Sequence, residues 1–227
     1  MPELRRDPVN NRWVIMATER SERPNAVELA PAWPAPEDPA GDPFAEGNEQ
    51  HTPPEIYALR DKDSAPNGPG WQVRVVPNKF PALRIEGGLD RRGHGMYDSM
   101  NGVGAHEVVI ETPLSNVGLH ELELTQLHQV VETYRLRLED LCHDKRFAYV
   151  LIFKNHGKSA GASLAHAHSQ VIATPIVPKR VLEELSGAKA HWKQKRRSIF
   201  MDILDQELDS GERLVYQNGQ MVAHCPY

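Results

Sequence analysis

Two histidines, His166 and His168, stand two apart in "SAGASLAHAHSQ", with Gln170 two further on and a run of small residues before them. In a strand, residues two apart share a face, so the two imidazoles would point the same way. Such a pair can hold a metal, do acid–base work or attack a phosphate; paired histidines in a lone strand are also common as surface or packing residues. The loop before them, "NHGKSAGAS", offers backbone N–H groups from Gly157 to Ser163 with little side-chain bulk, so it can approach phosphate oxygens closely. The Ser163 hydroxyl adds a donor. Arg20, Arg23 and Lys158 are candidate charge partners for a pyrophosphate. A partly unprotonated imidazole is a competent nucleophile at phosphorus near neutral pH, and Gln170 can donate to a phosphate oxygen. Each feature alone has a plain structural reading, a turn for the glycines and a solvated loop for the arginines. Their conjunction favours phosphate chemistry.

The elements that must position these residues follow from hydrophobic pattern. Trp13 to Met16 form a short strand-like run. "VELAPAWPAPEDPAGDPFAEGNEQHTPPE" is heavy in proline and is expected to be irregular. "WQVRVVPNKFPAL" reads as a strand ending at Pro77 with a turn at Asn78, and "GAHEVVIETP" as another strand. From His120 to Leu141 the apolar residues Leu127, Val130, Val131, Tyr134, Leu138 and Leu141 recur at spacings of a helix. "FAYVLIFKN" is a strongly apolar strand, expected to be central, and "HAHSQVIAT" returns beside it as a hairpin with a wide turn. From Pro178 to about Leu208 the pattern is helical and charged. "GERLVYQNGQMVAHCPY" reads as strand, Asn-Gly turn, strand.

That order is an α+β chain with a mainly antiparallel sheet and flanking helices. No Gly-x-Gly-x-x-Gly or Walker-type loop supports a Rossmann or P-loop reading. At 227 residues and 40% hydrophobic, one ordinary domain or two small ones are expected. The formal charge of -5 argues against a general nucleic-acid binder. No stretch approaches ~18 consecutive apolar residues, and "MPELRRDPVN" lacks the apolar core of a secretory signal. Cys142 and Cys225 lie far apart, so no disulfide framework is expected and a cytoplasmic location fits. The division expected is a first domain over residues 1–208 and the start of a second, related and apparently truncated one over 209–227.

Four blocks, "RRDPVNNRWVIMATERSERP", "DPFAEGNEQHTPPE", "VRVVPNKFPAL" and "NHGKSAGASLAHAHSQ", resemble successive blocks of the galactose-1-phosphate uridylyltransferase family within the histidine-triad superfamily. The "AGASLAHAHSQ" wording is closer to the branch that includes ADP-glucose phosphorylases. The resemblance implies a histidine-triad-like sheet in the first of two related units. It also implies a ping-pong exchange of UMP between UDP-glucose and galactose 1-phosphate. His168 would be the nucleophile, with His166 and Gln170 beside it. Arg20 and Arg23 would meet nucleotide or sugar phosphates, Asn78 would sit near the nucleotide, and Asn155, Gly161, Ser163 and Gln170 would line the phosphate site. The alternatives are an ADP-glucose or dinucleotide phosphorylase using the same adduct, and a nucleotide-binding relative without turnover. The partners implied are a nucleotide sugar and a hexose 1-phosphate, with neither nucleic acid nor membrane, and relatives are often homodimers.

Many relatives bind a structural zinc through a Cys-x-x-Cys pair, a downstream histidine and the first histidine of the motif. Here Asp42 and Ala45 stand at the cysteine positions and Ser115 at the downstream one, which leaves only His166. One histidine cannot make a tetrahedral site, so no zinc is expected there. Asp42, Glu46 and His51 are the residues that could rebuild an oxygen-rich site. A further metal site of some relatives uses a glutamate, Glu183 or Glu184 here, with histidines from the second half.

Overall fold

The computed structural model describes residues 1–9, 11–18 and 41–227. The chain divides into two units, Met1–Val177 and Pro178–Tyr227. The first unit is built on a five-stranded sheet. Its strands are β3 (Tyr57–Arg60), β4 (Trp71–Pro77), β7 (Ala105–Ile110), β8 (Tyr149–Phe153) and β9 (His168–Thr174), in the order β3-β4-β7-β9-β8 with every pairing antiparallel. This is the mainly antiparallel α+β arrangement expected from the sequence.

Alternation along the two central strands sorts the chemistry onto one face. Ala105, Val109, Val171 and Ala173 pack with Val73, Val75, Val130 and Leu141 into one core, which helix α1 (Leu124–Cys142) covers. On the opposite face, Val108 pairs with Gln170 and Ile110 with His168. Val76, Val108, Ile110 and Trp71 form a second cluster there, against which Phe44 packs. Both faces of β4 and β7 are therefore buried, and their sequences run nearly continuously apolar instead of alternating.

The strand "FAYVLIFKN" lies at the edge of the sheet beside β9, not at its centre. Val150 and Ile152 pack on the α1 side, while Leu151 between them is 40% exposed. An apolar run of this length looks the same at an edge as in the middle, and only the pairing decides. In α1, Val130, Tyr134 and Leu141 face the core as expected, but Val131 and Leu138 are exposed. Arg137 takes a buried place instead. Its guanidinium donates to both Glu107 carboxylate oxygens, at 2.7 and 2.8 Å, and meets Asp140 at 2.9 Å. Arg137→Met is expected to lower stability by about 3 kcal/mol, because the buried Glu107 carboxylate loses its counter-charge. Urea unfolding checks this, and Arg137→Met with Glu107→Leu should recover most of the loss.

A second sheet, in the order β2-β1-β6-β5, joins β1 (Glu3–Arg6), β2 (Trp13–Met16), β5 (Arg92–His94) and β6 (Tyr97–Asn101). Leu4, Leu83 and Met100 form its core, with Ile172 from β9 packed against it. The chain enters β7 through Gly104, where a Cβ would lie 2.3 Å from the Ala173 carbonyl oxygen; only glycine fits that close approach.

In the second unit the charged helical stretch is two helices, α2 (Lys179–Lys195) and α3 (Ile199–Ser210). Arg196, at φ 57°, caps α2 in the left-handed conformation, and that breaks the continuous pattern. Strands β10 (Leu214–Gln217) and β11 (Val222–His224) form the expected hairpin. Both cysteines are free thiols. Among the described residues, no helix is long and apolar enough to cross a membrane.

Candidate active site

His168 opens β9 on the face away from α1. It is mostly buried, and its Nδ1 donates to the backbone carbonyl of His166 at 2.7 Å. That bond assigns the proton to Nδ1 and leaves the lone pair on Nε2. Burial is the main influence that holds the imidazole below its ordinary pKa, and the nearby Lys154 cation pushes the same way. A neutral ring with a fixed tautomer and a bare Nε2 is what a nucleophile at phosphorus requires.

Gln170 follows on the same face. Its Oε1 lies 2.9 Å from His106 Nε2 and 3.4 Å from Asn78 Nδ2, while Asn78 Oδ1 accepts from the Phe80 amide at 2.9 Å. Phe44 stands edge-on to both motif histidines, 5.3 Å from His168 and 6.0 Å from His166 between ring centroids. These groups border a cleft of about 330 Å³ whose walls include Phe44, His51, Pro53, Val76, Asn78, Phe80 and Val108 beside His168 and Gln170. A second, smaller cleft, of about 70 Å³, shares Ser163, Leu164 and His168 with it and adds Asn155, His156, Gly157 and Lys154. A flat apolar wall beside a cluster of polar donors suits a planar base with phosphates attached.

Beneath His168, on the α1 side, lies a polar network that the sequence did not announce. Glu111 is fully buried. Its Oε2 meets Lys154 Nζ at 2.7 Å, and Lys154 also donates to the His168 carbonyl oxygen at 2.9 Å. Its Oε1 accepts from the hydroxyls of Tyr134, at 2.9 Å, and Ser169. Burial and the Glu111 charge push the Tyr134 hydroxyl well above its ordinary pKa, so it stays a donor. Helix α1 is thereby tied to the backbone that carries the motif.

His166 precedes β9, so strand alternation does not reach it. Its Nδ1 lies 2.6 Å from Asp42 Oδ2 and its Nε2 2.7 Å from the Thr112 carbonyl oxygen. Asp42 Oδ2 also accepts from Ser115 Oγ at 2.7 Å, and Oδ1 accepts from the Phe44 amide at 2.9 Å. Burial alone would raise the Asp42 carboxyl; the hydrogen bonds from His166 and Ser115 outweigh it and hold the pKa below the ordinary value. These are the residues at the zinc positions of zinc-bearing relatives, and they do not fit zinc. Ala45 carries no donor atom, both His166 nitrogens are engaged, and the Asp42 carboxylate already accepts from His166, Ser115 and the Phe44 amide. A buried hydrogen-bonded clamp stands in that place, joining residues 42–44 to the start of β9. Glu46 and His51 do not join it: Glu46 Oε1 accepts from the Gly70 amide at 2.6 Å and His51 borders the larger cleft.

The structure therefore brings His168, Gln170, Asn78, Asn155 and Ser163 to the two clefts; His166 borders the smaller cleft, with its buried ring held in the clamp. Gly157 and Gly161, at φ 78° and 79°, turn the small-residue loop through left-handed conformations that favour glycine. Arg20 and Arg23 lie outside the described residues, as does the side chain of Lys158. Glu183 and Glu184 are exposed on α2, paired to Lys179 and Arg180. Sequence reasoning missed His106, Glu111, Lys154 and Phe44. The available signal was polar residues in "HEVVIE", which are out of place in an apolar strand unless each has a buried partner.

Residues 1–178 match the family model described as galactose-1-phosphate uridyl transferase, N-terminal domain. Among curated relatives, ADP-glucose phosphorylase of Arabidopsis thaliana is 36% identical over 85% of this chain and 54% of its own length. Galactose-1-phosphate uridylyltransferase of Thermotoga maritima is 28% identical over 100% of this chain and 63% of its own. The crystal structure of the Arabidopsis thaliana ADP-glucose phosphorylase with bound ADP-glucose superposes with a TM-score of 0.66 at 29% identity, covering 98% of this chain and 63% of that one. A uridylyltransferase structure gives 0.69 at 26% identity, covering 95% and 59%. The chain thus spans 54% to 63% of the length of these relatives.

Proposed function

The chain belongs to the galactose-1-phosphate uridylyltransferase family, and we propose that it transfers a nucleotidyl group through a covalent adduct on His168. The observation that carries this reading is the His168 ring itself, with Nδ1 donated to the His166 carbonyl at 2.7 Å and Nε2 left as the nucleophile. In the first step Nε2 attacks the α-phosphorus of UDP-glucose. A P–N bond forms, the bond from that phosphorus to the bridging oxygen breaks, and glucose 1-phosphate leaves with the oxygen. In the second step a phosphate oxygen of galactose 1-phosphate attacks the same phosphorus. The P–N bond breaks, UDP-galactose departs and His168 is restored. Splitting one displacement into two lets a single set of donors serve both transition states. Gln170, Asn155, Ser163 and the loop N–H groups would meet the phosphoryl oxygens, with Arg20 and Arg23 on the sugar or nucleotide phosphates. The apolar wall of Phe44, Val76 and Val108 would take the base.

A second reading has its own support. The relative at 36% identity is an ADP-glucose phosphorylase. There the acceptor of the second step would be inorganic phosphate and the adduct would carry AMP. One experiment separates the readings. The protein is mixed with UDP-glucose, and separately with ADP-glucose, and weighed intact. A UMP adduct supports the first reading and an AMP adduct the second; no adduct from either points to a binding protein without turnover. The reading of residues 209–227 as the opening of a second related unit, and of a homodimer, are proposals of the same standing.

The pH dependence follows from the ring's lowered pKa. Below that pKa, Nε2 carries a proton and cannot attack. Adduct formation in a single turnover is therefore expected to hold its rate down to and below the ordinary histidine value of about 6.5, and to fall only in more acid solution. An acid limb at or above about 6.5 would contradict a buried neutral nucleophile.

A further inference from the structure

We infer that His106 is a positioning residue that decides which end of the Gln170 amide meets the phosphoryl group. The inference deepens the reading of the site given above and rests on it. A glutamine beside a phosphate helps only if its NH₂ faces the phosphate oxygens; turned over, its carbonyl oxygen would repel them. Two backbone donors, the Ala82 and Phe80 N–H groups, settle the choice here. The Ala82 backbone N–H points at His106 Nδ1, 2.9 Å away. A backbone N–H can only donate, so Nδ1 is the bare nitrogen and the ring proton sits on Nε2. Nε2–H then donates to the group 2.9 Å from it, and that atom of Gln170 must be the oxygen.

Asn78 agrees. Its Oδ1 accepts from the Phe80 N–H at 2.9 Å, so Nδ2 is a donor. Nδ2 lies 3.2 Å from His106 Nε2 and 3.4 Å from Gln170 Oε1. Two donors do not bond each other, so the longer contact is the hydrogen bond and the shorter one only adjacency. Gln170 Oε1 thus accepts from two sides. The amide nitrogen, with no partner among the described residues, is left for the cleft that Gln170 lines beside His168. Register explains the arrangement. His106 pairs with Ile172 and Val108 with Gln170 across β7 and β9, so His106 and Gln170 are diagonal neighbours on one face. The orientation is thereby set by the main chain at Ala82 and does not need substrate to establish it.

The test pairs His106→Met, which removes the Nε2–H without adding charge, with His106→Gln, which restores an amide N–H near that place. Single-turnover adduct formation is followed with UDP-glucose and with ADP-glucose. Gln170→Met, which loses the donor outright, is expected to slow the step roughly 100-fold. His106→Met is expected to slow it roughly tenfold or more, with the half-saturating nucleotide-sugar concentration little changed, and His106→Gln to recover most of the loss. In the Gln170→Met background His106→Met should cost nothing further, because the amide it orients is gone. A merely structural role would slow both backgrounds equally. Imidazole ¹⁵N shifts of the unaltered protein should show His106 protonated at Nε2 and bare at Nδ1. His106→Met as fast as the unaltered protein, losses that multiply in the double variant, or an Nδ1–H ring would each overturn the inference. No adduct on the unaltered protein would instead overturn the nucleotidyl-transfer reading, and the ¹⁵N result would still decide the orientation.

Discussion

Replacing His168 with Gly is expected to abolish the nucleotidyl adduct and to reduce turnover by at least about four orders of magnitude. The fold should survive. His168 opens β9, one residue from the loop, and the hydrogen bonds that anchor this corner belong to its neighbours: Ser169 to Glu111, and Lys154 to the His168 backbone carbonyl, which glycine retains. Thermal unfolding within a few degrees of the unaltered protein, together with no adduct by intact mass, is the expected pair of results. His166→Asn should be milder in turnover, because that ring faces Asp42 and Thr112. An adduct that persists on His168→Gly protein, or that maps to His166, would reverse the assignment.

The second large effect is on stability. Asp42→Ala is expected to cost about 3 kcal/mol, because several buried donors lose their shared acceptor at once. The Asp42 and His166 side chains are almost wholly buried and 2.6 Å apart, and Ser115 Oγ and the Phe44 amide would lose their acceptor at the same time. Asp42→Asn keeps an acceptor and should lose less. The urea midpoint of each variant measures this. The same clamp carries an expectation about metal. Protein purified without added zinc should hold well under one equivalent, and adding zinc should not raise the unfolding midpoint. The triple variant D42C, A45C, S115H, which rebuilds two thiolates and an imidazole around His166, should gain stoichiometric zinc. Zinc at one equivalent in the unaltered protein, lost on changing Asp42 or His166, would show that the clamp is a metal site after all.

How far the sequence reached can be argued from particular residues. The strands at Trp13–Met16, Trp71–Pro77, Ala105–Ile110 and His168–Thr174 were legible because apolar runs end at proline, glycine or polar turns. Helix α1 was legible from its period, except that Arg137 replaced an apolar residue on its buried side, which only the partner at Glu107 makes acceptable. The edge position of β8 was not legible, since pairing is a long-range choice. Strands β1, β3, β5 and β6 are three to five residues long and carry charge or glycine, so no local pattern marks them. In the site, His168 and Gln170 stood out because the motif is local. The clamp was legible only in part: the resemblance set Asp42, Ser115 and His166 at the positions of one metal site, but their direct bonding to one another, across 124 residues from Asp42 to His166, came only with the fold. Lys154 and Glu111 escaped for the same reason.

The measurement that bears most directly on His168 as nucleophile is localisation of the adduct. The protein is quenched in alkali during turnover with nucleotide sugar, digested and mapped, with ³¹P NMR on the intact adduct. The expected result is one nucleotidyl group per chain, on the peptide that contains His168, with a phosphoramidate shift and release in acid. Attachment at Nε2, with His166 unmodified, completes it. A nucleotide on any other residue, or steady turnover with no covalent species at any time, would contradict the mechanism.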